Sequence, residues 1–304
     1  MALDKNTSRI AWIGVGVMGR SMAGHLQKAG WRLVVHNRTK AKAEDLLRGG
    51  ALWADSAGEA AALSDAVFTM VGFPHDVRQI YLGQGGIVER AKPGALLCDM
   101  TTSAPSLAVE IARAAEARGL WALDAPVSGG DVGAREARLS IMAGGSPQAF
   151  EAAGPFLERL GKHIALHGGP GAGQHAKMCN QINVAAIMMG LVESLLYARG
   201  AGLDPKRMLE SVGSGAATSW ALVNLGPRIL SGDFKPGFYV CHFIKDMDIA
   251  LGEAAKMGLP TPALRLARQL YEKVVELGGA ELGTQALYWA MEQANAMGSR
   301  RPES

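Results

Sequence analysis

Ile10-Ala-Trp-Ile-Gly14-Val-Gly16-Val-Met-Gly19 places three glycines where a β-rich run gives way to a helical one. In a G-x-G-x-x-G joint the first glycine makes a tight turn and the second lets the backbone approach a pyrophosphate. The third lets helix and strand pack closely, and the helix N-terminus faces the phosphates. The motif follows a strand, opens a helix and lies near the N-terminus, the context in which it signals dinucleotide binding. Gly14, Val15, Gly16, Val17, Met18 and Gly19 are the candidate phosphate-binding residues. A chain built this way starts with a βαβ unit.

The pattern downstream agrees. Arg9–Ile13, Trp31–His36, Ala66–Val71, Ala95–Asp99, Trp121–Ala125, Leu139–Ala143 and His163–Leu166 read as strands. Met18–Ala29, Lys40–Arg48, Asp76–Tyr81, Ser106–Arg118 and Pro147–Leu160 read as helices between them. Such alternation implies crossover connections and a largely parallel, doubly wound sheet. After the glycine-dense segment His167-Gly-Gly-Pro-Gly-Ala-Gly173 only helical periodicity remains: Gln174–Arg199, Pro205–Ser211, Thr218–Leu230, Ile244–Met257, Pro262–Leu277 and Leu282–Met297. The first of these would be about 39 Å long at ~1.5 Å per residue. It is apolar over much of its circumference, so burial by helices on several sides is expected. The fold class is therefore α/β. A Rossmann-type domain over 1–168 precedes an all-helical domain over 169–304, joined by the long interdomain helix, and the tail from Gly298 to Ser304 reads as frayed.

With 304 residues, 48% of them hydrophobic, the chain has core enough for two domains and is not disordered. A net charge of +3 from interspersed residues does not suggest a nucleic-acid surface. Cys98, Cys179 and Cys241 are far apart and form no CxxC pair, which argues against a disulfide framework or a cysteine metal site. His163, His167 and His175 sit on a strand and a loop, and no metal site is expected from them. The N-terminus is polar, and the apolar run Met178 to Val192 is interrupted by Asn180, Gln181 and Asn183. A cytoplasmic protein with no membrane partner is the expectation.

The end of the second strand chooses the cofactor. An NAD site has an acidic residue there to hold the ribose 2′-hydroxyl. Here Asn37-Arg38-Thr39 stands instead. Arg38 offers a planar charged fork suited to a 2′-phosphate, and Asn37 and Thr39 can add hydrogen bonds. NADP is expected, with NAD possible. A simpler role for Asn37 and Thr39 is to cap the following helix.

Four further segments look chemically dedicated. Asp99-Met-Thr-Thr102 and Asp124-Ala-Pro-Val-Ser128-Gly129-Gly130 leave strand C-termini, the edge where doubly wound sheets bind ligands. The glycines of the second can offer backbone N–H groups to an anion, although either segment alone could be an ordinary polar turn. Lys177 and Asn180 are three residues apart and share a helix face. A lysine near the start of an apolar helix would be partly desolvated, which eases loss of its proton. The alternative is a lysine that snorkels to solvent. Phe238 and Phe243 precede Lys245-Asp246, which also reads as a helix start.

Together these segments resemble the β-hydroxyacid dehydrogenase family, which includes 3-hydroxyisobutyrate dehydrogenase and the tartronate, glyoxylate and succinic semialdehyde reductases. The resemblance runs from Ile10 to about Met297 and rests on several ordered motifs. They are the glycine motif, the turn ending in Thr102, Ala125-Pro-Val-Ser-Gly-Gly130, Gly173…Lys177…Asn180 and Lys245-Asp246. It implies an NAD(P)-dependent oxidoreductase acting on a CH–OH group, with the active site in a cleft between the two domains. Lys177 is then the catalytic acid/base, Asn180 its hydrogen-bonding companion, and Ser128, Gly129 and Gly130 the cradle for a substrate carboxylate. Thr102 and Lys245 touch the cofactor side, Phe73 and Pro74 line the cofactor, and Gln181, Phe238 and Asp246 line the substrate pocket.

Two departures favour the semialdehyde reductases over 3-hydroxyisobutyrate dehydrogenase. Gln181 stands where the latter typically has a second asparagine, and Asn37-Arg38 replaces the acidic NAD pattern. A third departure is Ala137, at a position usually glycine in the family. The alternatives are 3-hydroxyisobutyrate oxidation and an imine reductase-like activity, whose enzymes typically lack the lysine. The expected substrate is a small carboxylate-bearing aldehyde or ketone, interconverted with its hydroxyacid. The apolar helices 174–199 and 262–277 suggest burial between subunits of a homodimer or homotetramer.

Overall fold

A computed structural model describes residues 3–298, so the expectation for the tail beyond Gly298 lies outside the described residues. The chain divides into two compact units, Met1–Lys177 and Met178 onward.

The first unit runs β1 (Arg9–Ile13), α1 (Val17–Lys28), β2 (Arg32–His36), α2 (Glu44–Arg48), β3 (Leu52–Trp53), α3 (Ala57–Ala62) and β4 (Ala66–Thr69). It continues through α4 (Pro74–Leu82), α5 (Ile87–Arg90), β5 (Leu96–Asp99), α6 (Pro105–Glu116), β6 (Trp121–Asp124) and β7 (Val127–Ser128). α7 (Gly130–Arg135), β8 (Leu139–Gly145), α8 (Pro147–Leu157) and β9 (Gly161–Leu166) follow. The strand order is β3-β2-β1-β4-β5-β6-β8-β7, with β9 beside β8. β1 to β6 pair in parallel, whereas β8 runs antiparallel to β6 and β7. The order reverses between β1 and β4, so ligands belong beyond the C-terminal ends of these strands. The sheet is buried on both faces, and β1 shows it. Ile10 and Trp12 join one core with Phe68 and Phe156, while Ala11 and Ile13 join the other with Val67 and Leu97.

The expected strands and helices of this unit are present, with ends shifted by a few residues. The structure adds β3, β7, α3, α5 and α7, all of six residues or fewer. The segment expected as one helix over Lys40–Arg48 is a 3-10 turn, Lys40–Ala43, leading into α2.

The long helix is α9 (Ala172–Gly200), and the second unit continues with α10 (Pro205–Gly213), α11 (Trp220–Leu230), α12 (Val240–Lys256), α13 (Pro262–Glu276) and α14 (Leu287–Gly298). A 3-10 turn, Thr284–Ala286, precedes α14. α9 does not bury several sides within its own chain. From Met178 on, its buried residues, Met178, Gln181, Ala185, Met188, Leu191, Val192, Leu195 and Ala198, fall mostly three or four positions apart, and Cys179, Asn183, Ala186, Gly190 and Tyr197 are exposed. That single stripe packs with Leu225, Phe243, Met247, Tyr271 and Leu287 from α11 to α14. α9 is long and apolar enough to cross a membrane, with a mean hydropathy of 1.4, but its apolar stripe belongs to this helical core. α12 starts a turn earlier than expected, so Lys245 and Asp246 lie inside a helix and not at its start.

Candidate active site

The glycine joint follows β1 and opens α1. Gly14 holds φ +95°, and a Cβ there would lie 2.1 Å from the Met70 carbonyl oxygen at the end of β4, so no other residue fits this turn after β1. A Cβ on Gly19 would lie 2.0 Å from the Gly14 oxygen, which is the close helix–strand packing the third glycine exists for. Gly16 is different. A side chain there would meet nothing within 4 Å, so the space beside it is open for a ligand's phosphates. Gly16 caps α1 without a side-chain hydrogen bond, leaving the first-turn N–H groups of a 12-residue helix to an anion. These residues fit a dinucleotide.

Asn37 serves the loop. Its Oδ1 accepts the Val15 N–H at 2.9 Å and its Nδ2 donates to the Thr39 carbonyl at 2.9 Å. Its amide therefore braces the glycine turn against the end of β2. Thr39 precedes the 3-10 turn but makes no side-chain cap there, so the capping role considered for it is not taken up. The Arg38 side chain is 85% exposed, with one long contact of 3.5 Å to Asp76. Phe73 and Pro74 begin α4, where the Phe73 N–H donates to the Asp76 carboxylate at 3.2 Å.

The turn bearing Thr102 is held at both shoulders. Asp99 Oδ1 accepts from Thr69 Oγ1 at 2.7 Å and from the Thr101 N–H at 3.0 Å, and Thr101 Oγ1 accepts the Val71 N–H at 3.0 Å. The Gln174 side chain donates to the Thr101 carbonyl at 2.7 Å and accepts the Ser103 N–H at 2.9 Å. Thr102 is bracketed between these two bonds.

Ser128 closes β7, paired with Ser140 of β8, and the chain then turns through Gly129 at φ +132° and Gly130 at φ +63°. Both glycines hold conformations L side chains rarely adopt, and Gly129 is exposed while Ser128 and Gly130 are half-buried. Four residues earlier, Asp124 at the end of β6 accepts the Gly171 N–H at 2.7 Å and the Gln174 N–H at 2.9 Å. Burial pushes the Asp124 carboxyl up to about 6 despite these bonds, and the Asp99 charge adds to the rise. Lys177 is one turn further along α9 and is only 6% exposed, so it does not snorkel into solvent.

The second unit gathers another set. Asn180 Nδ2 donates to Gln181 Oε1 at 2.7 Å, and Gln181 Nε2 donates to Asp246 Oδ2 at 2.6 Å. Lys245 pairs with the other Asp246 oxygen at 2.9 Å. Four sequence-predicted residues thus form one chain of polar contacts, with Gln181 and Asp246 fully buried. Phe238 stands 5.6 Å from Phe243, ring centre to ring centre. Sequence reasoning did not assign roles to Asp124, Gln174, Asp99 or Thr101. The available signal was their polarity at strand ends and on the buried stripe of α9.

Comparison with known proteins agrees with this geometry. Residues 9–169 match the family model of the NAD-binding domain of 6-phosphogluconate dehydrogenase. Residues 171–291 match that of the NAD-binding domain of NADP-dependent 3-hydroxyisobutyrate dehydrogenase. A probable mitochondrial 3-hydroxyisobutyrate dehydrogenase-like protein of Arabidopsis thaliana is 49% identical over 99% of this chain and 90% of its own length. The 2-hydroxy-3-oxopropionate reductase of Escherichia coli is 37% identical over 93% of this chain and 97% of its own. The solved 3-hydroxyisobutyrate dehydrogenase of Mycobacterium tuberculosis, with L-serine, superposes with a TM-score of 0.85 at 30% identity, covering 93% and 99% of the two chains. With a dinucleotide loop that fits, a buried lysine on α9 and relatives matched along nearly their whole length, the chain belongs to the β-hydroxyacid dehydrogenase family of nicotinamide-dependent oxidoreductases.

Proposed function

We propose that this enzyme reduces small carboxylate-bearing aldehydes, of the glyoxylate, succinic semialdehyde and tartronate semialdehyde class, to their hydroxyacids, and that it prefers NADPH. The observation that carries the reading is the placement of Lys177. It is buried one turn into the helix whose start is hydrogen-bonded to the end of β6 and to the turn of Thr102. A lysine held out of solvent at the ligand edge of a dinucleotide-binding sheet is suited to hand a proton to a developing alkoxide.

Gly14 to Gly19 would hold the pyrophosphate, and the exposed Arg38 guanidinium would take the ribose 2′-phosphate. A reduced nicotinamide bound there supplies the hydride. The chain's own residues do the rest. Ser128, Gly129 and Gly130 bind the substrate carboxylate with the hydroxyl and backbone N–H groups. Lys177 donates its proton to the carbonyl oxygen as the carbon is reduced, and in the reverse direction it accepts the hydroxyl proton. Positioning the reactants supplies much of the rate, and the proton donor contributes about 10²–10⁴-fold.

The test is Lys177→Ala. We expect kcat for glyoxylate or succinic semialdehyde to fall by at least about 10²-fold while NADPH still binds with near-parental affinity, because the glycine loop is untouched. Full turnover in that variant would place the proton donor elsewhere.

A further inference from the structure

We propose that Asp124 and Gln174 are positioning residues that set the Lys177 amine against the turn carrying Thr102. The inference rests on the proton-donor role proposed for Lys177.

The two carboxylate oxygens of Asp124 are used separately. Oδ1 takes the Gly171 N–H at 2.7 Å, just before α9 begins, and Oδ2 takes the Gln174 N–H at 2.9 Å, within its first turn. One group gripping two successive points of a helix start fixes the rotation of the helix about its axis as well as its distance from the sheet. The backbone leaves no slack. A Cβ on Gly173 would lie 2.3 Å from the Met142 carbonyl oxygen, and a Cβ on Gly144 would lie 2.5 Å from the Gly173 nitrogen. The helix start is thus seated directly on β6 and β8.

Gln174 carries the restraint across to the neighbouring strand end. Its fully buried amide donates to the Thr101 carbonyl and accepts the Ser103 N–H, so it spans Thr102. Asp99 and Val71 hold the other side of the same turn. Lys177 follows Gln174 by three residues on the same helix face. The amine and the Thr102 turn are therefore tied to one rigid group, separated by a single helical turn. Displacing a catalytic group by about 1 Å through a remote substitution can cost up to about 10²-fold, so the loss of this tie should be read in kcat.

A purely structural role would lower the amount of folded enzyme without depending on Lys177. The deciding experiment is a double-mutant cycle on the full chain, measured as kcat for succinic semialdehyde reduction per NADPH-binding site. Sites are counted by fluorescence titration with NADPH. We expect Asp124→Asn to lower kcat about tenfold and leave the KM for NADPH within about twofold. In the Lys177→Ala background the same change should alter kcat by less than about twofold, because the group it positions is gone. Gln174→Met, near-isosteric but with neither hydrogen bond, should behave alike and carries the test if Asp124→Asn does not fold. An undiminished tenfold loss in both backgrounds, or no loss in either, overturns the inference. Parental kcat in Lys177→Ala alone would overturn the proton-donor role, a failure read on a different variant.

Discussion

Ala137 holds φ +52° without being glycine, two residues beyond α7, where the Arg138 N–H turns back to the Gly133 carbonyl at 2.9 Å. The sequence marked this position through its departure from a glycine usual in the family, and the backbone shows why glycine is usual there. A left-handed conformation costs an L residue about 1–2 kcal/mol, against which glycine's extra chain entropy returns about 0.5–1 kcal/mol. Ala137→Gly should therefore stabilise the protein by about 0.5–1 kcal/mol, raising Tm by roughly 1–3 °C by calorimetry. Arg38 makes the opposite case, since the role proposed for it comes from the residue type alone. It replaces the acidic ribose ligand, and its guanidinium is exposed, with only a long contact to Asp76. Removing a charged hydrogen bond worth about 1.5–3 kcal/mol, Arg38→Ala should erase most of the preference in kcat/KM for NADPH over NADH. A parental enzyme that strongly favours NADH would contradict the reading of β2. The roles of Asp124 and Gln174 were not legible, because their bonds join residues 47 to 73 positions apart and no local pattern records such a pairing.

Elements with several turns or several pleats were visible in advance, and the missed ones share a physical reason. β3 and β7 have two residues each and cannot display a period of two. They exist because a neighbouring strand pairs with them: β2 in one case and β8 in the other. α3, with the sequence Ala-Gly-Glu-Ala-Ala-Ala, buries only small residues, too short a run to show a helical period, and is started by Ser56, whose side chain accepts the Glu59 N–H. β7 bears on the proposed carboxylate cradle, since it ends in Ser128 and sets the direction in which Gly129 and Gly130 leave the sheet. The antiparallel pairing of β8 escaped the expectation of a parallel sheet for a similar reason. Alternating β and α elements predict crossovers, and the reversed strand is seen only in its pairing, of Leu123 and Asp124 with Gly145 and Gly144 and of Val127 and Ser128 with Ile141 and Ser140. α9 was read correctly as long and apolar, but composition does not say how many sides are covered within one chain.

At the scale of the whole molecule, Asp124 links the proposed positioning function to stability. Its folded-state pKa of about 6 lies above the 3.8 of an ordinary aspartate because burial, reinforced by Asp99, disfavours the charge. The native state therefore binds a proton more tightly than the unfolded chain. Its stabilising contribution is fully present below about pH 3.8 and is lost as pH rises through about 6. A shift of about two units corresponds to on the order of 3 kcal/mol across that window. Asp124→Asn cannot titrate, so by denaturant unfolding its cost relative to the parent should be larger at pH 4.5 than at pH 7. A cost independent of pH would show that the carboxyl is not raised. The ionised carboxylate that grips α9 at neutral pH is thus held against its own solvation, as expected where function and stability pull apart.

If the enzyme binds a substrate carboxylate while it reduces the carbonyl of the same molecule, charged and neutral aldehydes of matched length will react at different rates. In the proposed cradle, the donors of Ser128, Gly129 and Gly130 would be left unpaired by a neutral aldehyde, at a cost of about 1–3 kcal/mol, or about 5- to 150-fold. Steady-state NADPH oxidation should give a kcat/KM for succinic semialdehyde at least about tenfold above that for butanal, and the same for glyoxylate over acetaldehyde. Equal values for the charged and neutral members of each pair would contradict carboxylate binding.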